Sequence, residues 1–199
     1  MNALILVDVQ NDFLPGGALA VPHGDEVIAP CNALMRQFDL VVATQDWHPP
    51  GHGSFASAHP GAAVGEMRTL AGLPQVMWPD HCIQGTRGAA LASALDAPRI
   101  TRVFTKGEDP GIDSYSGFFD NDHRRSTGLA EWLTSAGITH VCVVGLATDY
   151  CVKATALDAI RAGFSVTVDL AACRGVDLRP GDVDRAIEEM RSHGVLLRA

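Results

Sequence analysis

A chain of 199 residues, 47% hydrophobic and 19% charged, is long enough to bury one sizeable core and has the balance of an ordinary globular protein, which excludes disorder as its dominant state. Its formal charge of -8, with no run of Lys and Arg, argues against a nucleic-acid surface, because phosphates are met by clustered cations. Five cysteines without C-x-x-C spacing suit neither a disulfide framework nor a cysteine zinc finger, so they are expected to be free thiols.

The opening "MNALILVDVQ" reaches Asp8 after a short apolar run, too short for a secretion signal or a membrane span. A cytoplasmic protein with no membrane partner is expected. "ALILVDV" and "DLVVATQD" then read as buried parallel strands. Between Asp46 and Gly85 the rhythm breaks into a stretch rich in Gly, Pro, His and Ser. So long a loop inside a compact domain is usually functional, and residues 46–85 are expected to be a functional insertion within one domain spanning 1–199.

Beyond it the alternation returns. "RITRVFTKG" reads as a strand, "TGLAEWLTSAG" as a helix and "HVCVVGLA" as a strand. "TDYCVKATALDAIRAG" follows as a helix capped by Thr148 or Asp149 and stopped at Gly163. "FSVTVDLAA", a helix starting near Pro180 in "RPGDVDRAIEEMRSHG", and "GVLLRA" complete the chain. This pattern predicts an α/β fold: a single-domain, doubly wound, mainly parallel sheet with helices on both faces.

Ligands of such sheets bind beyond the carboxyl ends of the strands. Asp8, Asp46, Lys106 and Cys151 all fall just after apolar runs and are therefore expected along one edge. Cys151, in the first turn of a helix, has access to backbone N–H groups, to the charge of Lys106 and to Asp8 as proton acceptor, each of which favours a thiolate. The competing explanations are ordinary: Cys151 as a small core residue, Asp8 as a turn cap, Lys106 as a solvated surface cation. The small residues of "GLAT" would admit backbone donors to an oxyanion, although a generic strand-to-helix turn looks similar.

In the insertion, "QDWHPPGHGSF" and "MWPDHCIQG" supply Asp46, His48 and His81, which suffice for a facial set of one carboxylate and two imidazoles around a divalent ion. Zinc, iron(II) and manganese(II) all accept such a set. Histidine-rich loops are also common as solvated surface, and His23, His52 and His59 are read that way. Trp47 and Trp78 flank the proposed ligands, where they either exclude water or pack the insertion.

These residues carry a resemblance. "LILVDVQNDFLPGGALAV", "VVATQDWHPPGHGSFAS", "WPDHCIQGT", "FTKGEDPGIDSYSGFFD" and "VVGLATDYCVKATALDA" occur in the order and spacing of the nicotinamidases of the isochorismatase-like cysteine hydrolase superfamily, over nearly the whole chain. The resemblance implies a Rossmann-like fold and a triad of Asp8, Lys106 and Cys151. It also implies one divalent metal, zinc first, on Asp46, His48 and His81. A cis peptide between Leu146 and Ala147 would aim the N–H groups of Ala147 and Cys151 at the oxyanion. Phe13, Trp78, Tyr115 and Leu146 would surround a substrate ring whose pyridine nitrogen approaches the metal. Nicotinamide would become nicotinate and ammonia through a thioester, and pyrazinamide would also be accepted.

Two positions depart from the pattern. Ser54 stands where some relatives have a histidine ligand, so water supported by Ser54 is expected to complete the shell. Tyr150 stands where some members have His. The alternatives are a hydrolase of another small amide or carbamoyl compound on the same fold, and a metal or thiol-redox module built on Asp46, His48, His81 and Cys82. Neither a monomer nor a homo-oligomer is singled out.

Overall fold

A computed structural model describes residues 1–199. Along the chain run β1 (Asn2–Val7), α1 (Ile28–Met35), β2 (Leu40–Asp46), β3 (Met67–Leu70), β4 (Leu73–Val76) and β5 (Arg102–Lys106). They are followed by α2 (Leu129–Ser135), β6 (His140–Leu146), α3 (Lys153–Arg161), β7 (Ser165–Arg174), α4 (Asp182–Ser192) and β8 (Leu196–Arg198). Six strands form one sheet in the order β5-β2-β1-β6-β7-β8, and every pairing is parallel. β1 and β6 lie at its centre and are buried almost without interruption, as strands covered on both faces must be. The edges tolerate exposure, at Val103 on β5 and Leu196 on β8.

From β1 the chain winds outward to β2 and β5, crosses through α2 to β6, and winds the opposite way to β7 and β8. Right-handed crossovers then place α1 on one face and α3 with α4 on the other. The direction reverses between β1 and β6, which opens a crevice at their carboxyl ends. Beneath it Leu4, Ile5, Met35, Phe118 and Leu133 are sealed from solvent, each burial stabilising the fold by about 1.5–3 kcal/mol. No helix is long and apolar enough to cross a membrane.

Three details differ from the sequence expectations. Neither Thr148 nor Asp149 caps a helix, because a π-helical turn at Thr148–Val152 precedes α3. Within it the N–H groups of Tyr150 and Val152 share Ala147 O. Asp149 instead accepts hydrogen bonds from the Val176 and Asp177 N–H groups at 2.9 and 2.8 Å, tying down the β7–α4 loop. The helix α1 escaped notice because Pro30 interrupts its pattern, although Pro is tolerated in a first turn. The insertion is also more regular than its composition suggests: β3 and β4 form an antiparallel hairpin around Ala71 and Gly72, both at positive φ, as a two-residue type I′ turn requires.

Candidate active site

Asp8 leaves the end of β1 with φ of 49°, and Thr44 of β2 fixes it there. The Thr44 hydroxyl donates to Asp8 Oδ1 at 2.6 Å and accepts from the Asp8 N–H at 3.2 Å. Asp8 Oδ2 lies 2.9 Å from Lys106 Nζ but accepts no well-aligned hydrogen bond. It is thus free to receive a proton.

Lys106, the last residue of β5, is fully buried, and its ammonium donates to Asp46 Oδ1 and, at 2.8 Å, to Ser114 O. The same Nζ is 3.5 Å from Cys151 Sγ. Burial alone would lower the pKa of the lysine, but Asp46 and Asp8 outweigh it and hold the ammonium charged, well above the usual range. For Asp8, burial and the nearby Asp46 outweigh Lys106 and push the carboxyl up to about 6. One oxygen of Asp8, one of Asp46 and the sulfur of Cys151 lie within 4.8 Å of one another.

Cys151 reaches this cluster because β6 ends irregularly. At Gly145 the register with β7 shifts and φ is 119°, and a Cβ there would sit 2.2 Å from Val7 O, so only glycine fits. The Leu146–Ala147 peptide is cis, and the π-helical turn delivers the thiol beyond it. One expectation is corrected here. The surroundings do not acidify Cys151 at rest: burial raises its pKa well above the usual value, and Lys106 offsets only part of that. The proton therefore rests on sulfur until a base removes it.

Asp46, His48 and His81 converge next to Lys106, with both imidazole Nε2 atoms 3.9 Å from Asp46 Oδ2. The His48 Nδ1–H donates to Gly107 O and the His81 Nδ1–H to Pro79 O, each at 2.8 Å, so both rings present an Nε2 lone pair to the carboxylate. Burial, together with His48, lowers His81 to about 4, which keeps it neutral and able to bind a cation. The donor set, its orientation and its burial fit one divalent ion.

Ser54 is buried close by, and its hydroxyl is 2.8 Å from His52 Nδ1. His52 itself is not a solvated loop residue. It is fully buried, stacks on His48 with ring centroids 4.4 Å apart, and donates from Nε2 to Asp109 O at 2.8 Å. His23 is exposed, as read from the sequence.

A mostly apolar cavity opens above the thiol, lined by Phe13, Trp78, Tyr115 and Ala147 together with Cys151, Asp46 and His81. Leu146 is not among its lining residues; its side chain is sealed in the core against Gly24. Tyr150 does line it, packing edge-on against Trp78 with centroids 4.9 Å apart.

Sequence reasoning also missed Gln10, Thr44 and Asp113. The buried Gln10 amide accepts from Asp46 N–H at 2.8 Å and donates to Asp46 O at 2.9 Å, clamping that residue from both sides. Its signal was present: "VQNDF" is more polar than a strand end needs. Nothing in the sequence marks Thr44, one threonine among apolar strand neighbours.

A doubly wound parallel sheet whose switch point gathers a thiol, a carboxylate, an ammonium and a set of one carboxylate and two imidazoles has the architecture of a hydrolytic enzyme of the α/β class. The chain belongs to the isochorismatase family: a family model described as the isochorismatase domain matches residues 2–198. A nicotinamidase of Escherichia coli (strain K12) is 50% identical over 98% of this chain and 93% of its own. The structure of a nicotinamidase/pyrazinamidase of Acinetobacter baumanii superposes with a TM-score of 0.96 at 46% identity, covering 99% of this chain and 95% of that one. A pyrazinamidase of Pyrococcus horikoshii, solved in complex with zinc, gives 0.81 at 40% identity, covering 98% and 97%. These relatives are amide hydrolases, and this chain is an enzyme of that class.

Proposed function

We propose that the protein hydrolyses nicotinamide to nicotinate and ammonia, and pyrazinamide likewise, through a thioester on Cys151. The observation that carries this reading is the convergence of Asp8, Lys106 and Cys151 beneath an aromatic-walled cavity with a metal-binding set at its side. Identity of 50% to a nicotinamidase supports the choice of substrate.

Asp8, with its open oxygen, takes the thiol proton as sulfur attacks the carboxamide carbon. The N–H groups of Ala147 and Cys151 receive the developing oxyanion. Lys106 stays charged and stabilises first the carboxylate and then the thiolate. When the tetrahedral intermediate collapses, the C–N bond breaks and Asp8 returns the proton to the departing ammonia. Asp8 then deprotonates a water that attacks the thioester, and the C–S bond breaks to release nicotinate and restore the thiol. Phe13, Trp78 and Tyr115 hold the ring and exclude bulk water. A divalent ion on Asp46, His48 and His81, zinc first and iron(II) or manganese(II) otherwise, would supply a Lewis-acid anchor for the ring nitrogen.

An ammonia-release assay over a panel of small amides, with and without chelation, tests the reading. Nicotinamide and pyrazinamide should be turned over, chelation should abolish turnover, and Cys151→Ala should abolish it while retaining bound metal. Turnover of carbamoyl compounds but not of nicotinamide would replace the substrate, and activity surviving in Cys151→Ala would sink the nucleophile.

A further inference from the structure

One buried polar group beside the cavity has no part in this chemistry. Gln75, on β4 of the insertion hairpin, is almost wholly buried. Its Nε2 lies 2.9 Å from Val76 O, 2.9 Å from Asp113 Oδ2 and 3.0 Å from Tyr115 Oη. The carbonyl and the carboxylate only accept, so the amide is locked with its nitrogen toward them, and its two hydrogens are shared among these two acceptors and the Tyr115 oxygen. The Tyr115 hydroxyl also receives the Trp78 indole N–H at 3.2 Å. Trp78 and Tyr115 both pack against Tyr150, with centroids 4.9 and 5.4 Å apart.

Asp113 closes the other side of the network. Its Oδ1 accepts the Ser114 N–H at 2.8 Å, and Ser114 O in turn accepts from Lys106 Nζ at 2.8 Å. The aromatic wall, the hairpin and the loop beyond β5 therefore meet at one side-chain amide. We propose that Gln75 is a positioning residue: acting through the Tyr115 hydroxyl, it fixes the Trp78–Tyr115 wall and thereby sets affinity for the substrate ring.

The proposal rests on the functional reading above, in which the ring occupies this cavity. Gln75 touches neither the thiol nor the proposed metal ligands, so its loss should act on binding rather than on bond breaking. Gln75→Met keeps the bulk and removes the donors. Loss of hydrogen bonds to buried acceptors should raise KM for nicotinamide about tenfold, with kcat changed by less than about threefold. Tyr115→Phe, which removes the shared acceptor, should raise KM in the same way. The Gln75→Met/Tyr115→Phe double variant should be little worse than either single one, because the two residues act as one unit.

An unchanged KM in either single variant, a fall in kcat at constant KM, or additive effects in the double variant would overturn the proposal. Near-ultraviolet circular dichroism of the unliganded protein gives a substrate-free test. The aromatic signal should weaken in Gln75→Met, and an unaltered signal would also overturn the proposal. Wild-type protein that releases no ammonia from nicotinamide would instead overturn the functional reading, with the spectroscopic test still deciding the role of Gln75 in the wall.

Discussion

Asp8, Lys106 and Cys151 share a volume from which water is excluded, and that exclusion decides where their protons rest. Lysine keeps its proton because two carboxylates face it, and sulfur keeps its proton because a buried thiolate is costly. Asp8, raised to about 6, is the group poised to exchange one near neutrality. On the acid side, kcat/KM should therefore rise as Asp8 loses its proton. A cation on Asp46 would cancel one of the charges that raise Asp8, so the midpoint should lie at or below about 6. A pH profile with a midpoint clearly above that value, or a normal profile in Asp8→Asn, would place the base elsewhere. The positions of these three residues were legible because each follows an apolar run. Their protonation was not, since burial is a property of the assembled site. His52 was misread for the same reason: a loop composition says nothing about which neighbours close over it.

Strands and turns bring these groups together through two close backbone approaches. Gly145 lets β6 pass Val7, and Gly107, at φ of 68°, lets the loop after β5 lie flat against His48. A Cβ on Gly107 would fall 2.4 Å from His48 Cε1, and the left-handed backbone would cost a non-glycine residue about 1–2 kcal/mol besides. Gly107→Ala should displace the imidazole and sharply reduce bound metal after purification, while the far-ultraviolet spectrum stays native. Metal analysis showing a full complement would refute this. The strands were legible because central parallel strands are apolar on both faces. The β3–β4 hairpin was not, because its exposed outer residues dilute the alternation and its turn is Ala71–Gly72 rather than Asn-Gly.

Across the whole molecule the work is divided. The sheet edge supplies the Asp8 carboxylate, the ammonium and the thiol, which alternation and topology predict together. The insertion and the loop beyond β5 supply the imidazoles and the aromatic wall, whose mutual placement depends on side-chain contacts far apart in sequence. Asp46 joins the two parts, paired to Lys106 on one oxygen and facing the histidines with the other. The same division explains why Leu146 was wrongly expected to line the cavity: it belongs to the sheet, and its side chain points into the core.

The five buried cysteines differ in one respect that gives the protein a built-in counter. Cys31, Cys82, Cys142 and Cys173 do not line the cavity above Cys151; Cys142 instead borders a separate hollow bounded by Met1, Leu40 and Ile138, where burial holds its thiol up to about 11. Cys151 alone has both an opening and a carboxylate to take its proton. A small alkylating amide should therefore add once, rapidly, to each native chain, with inactivation in step, and nicotinamide should slow it. Intact-mass measurement would show a single adduct before unfolding and five after it. The extent of that first reaction would then give the fraction of competent molecules in any preparation, whatever its total protein; a second adduct formed at the same rate would remove that use.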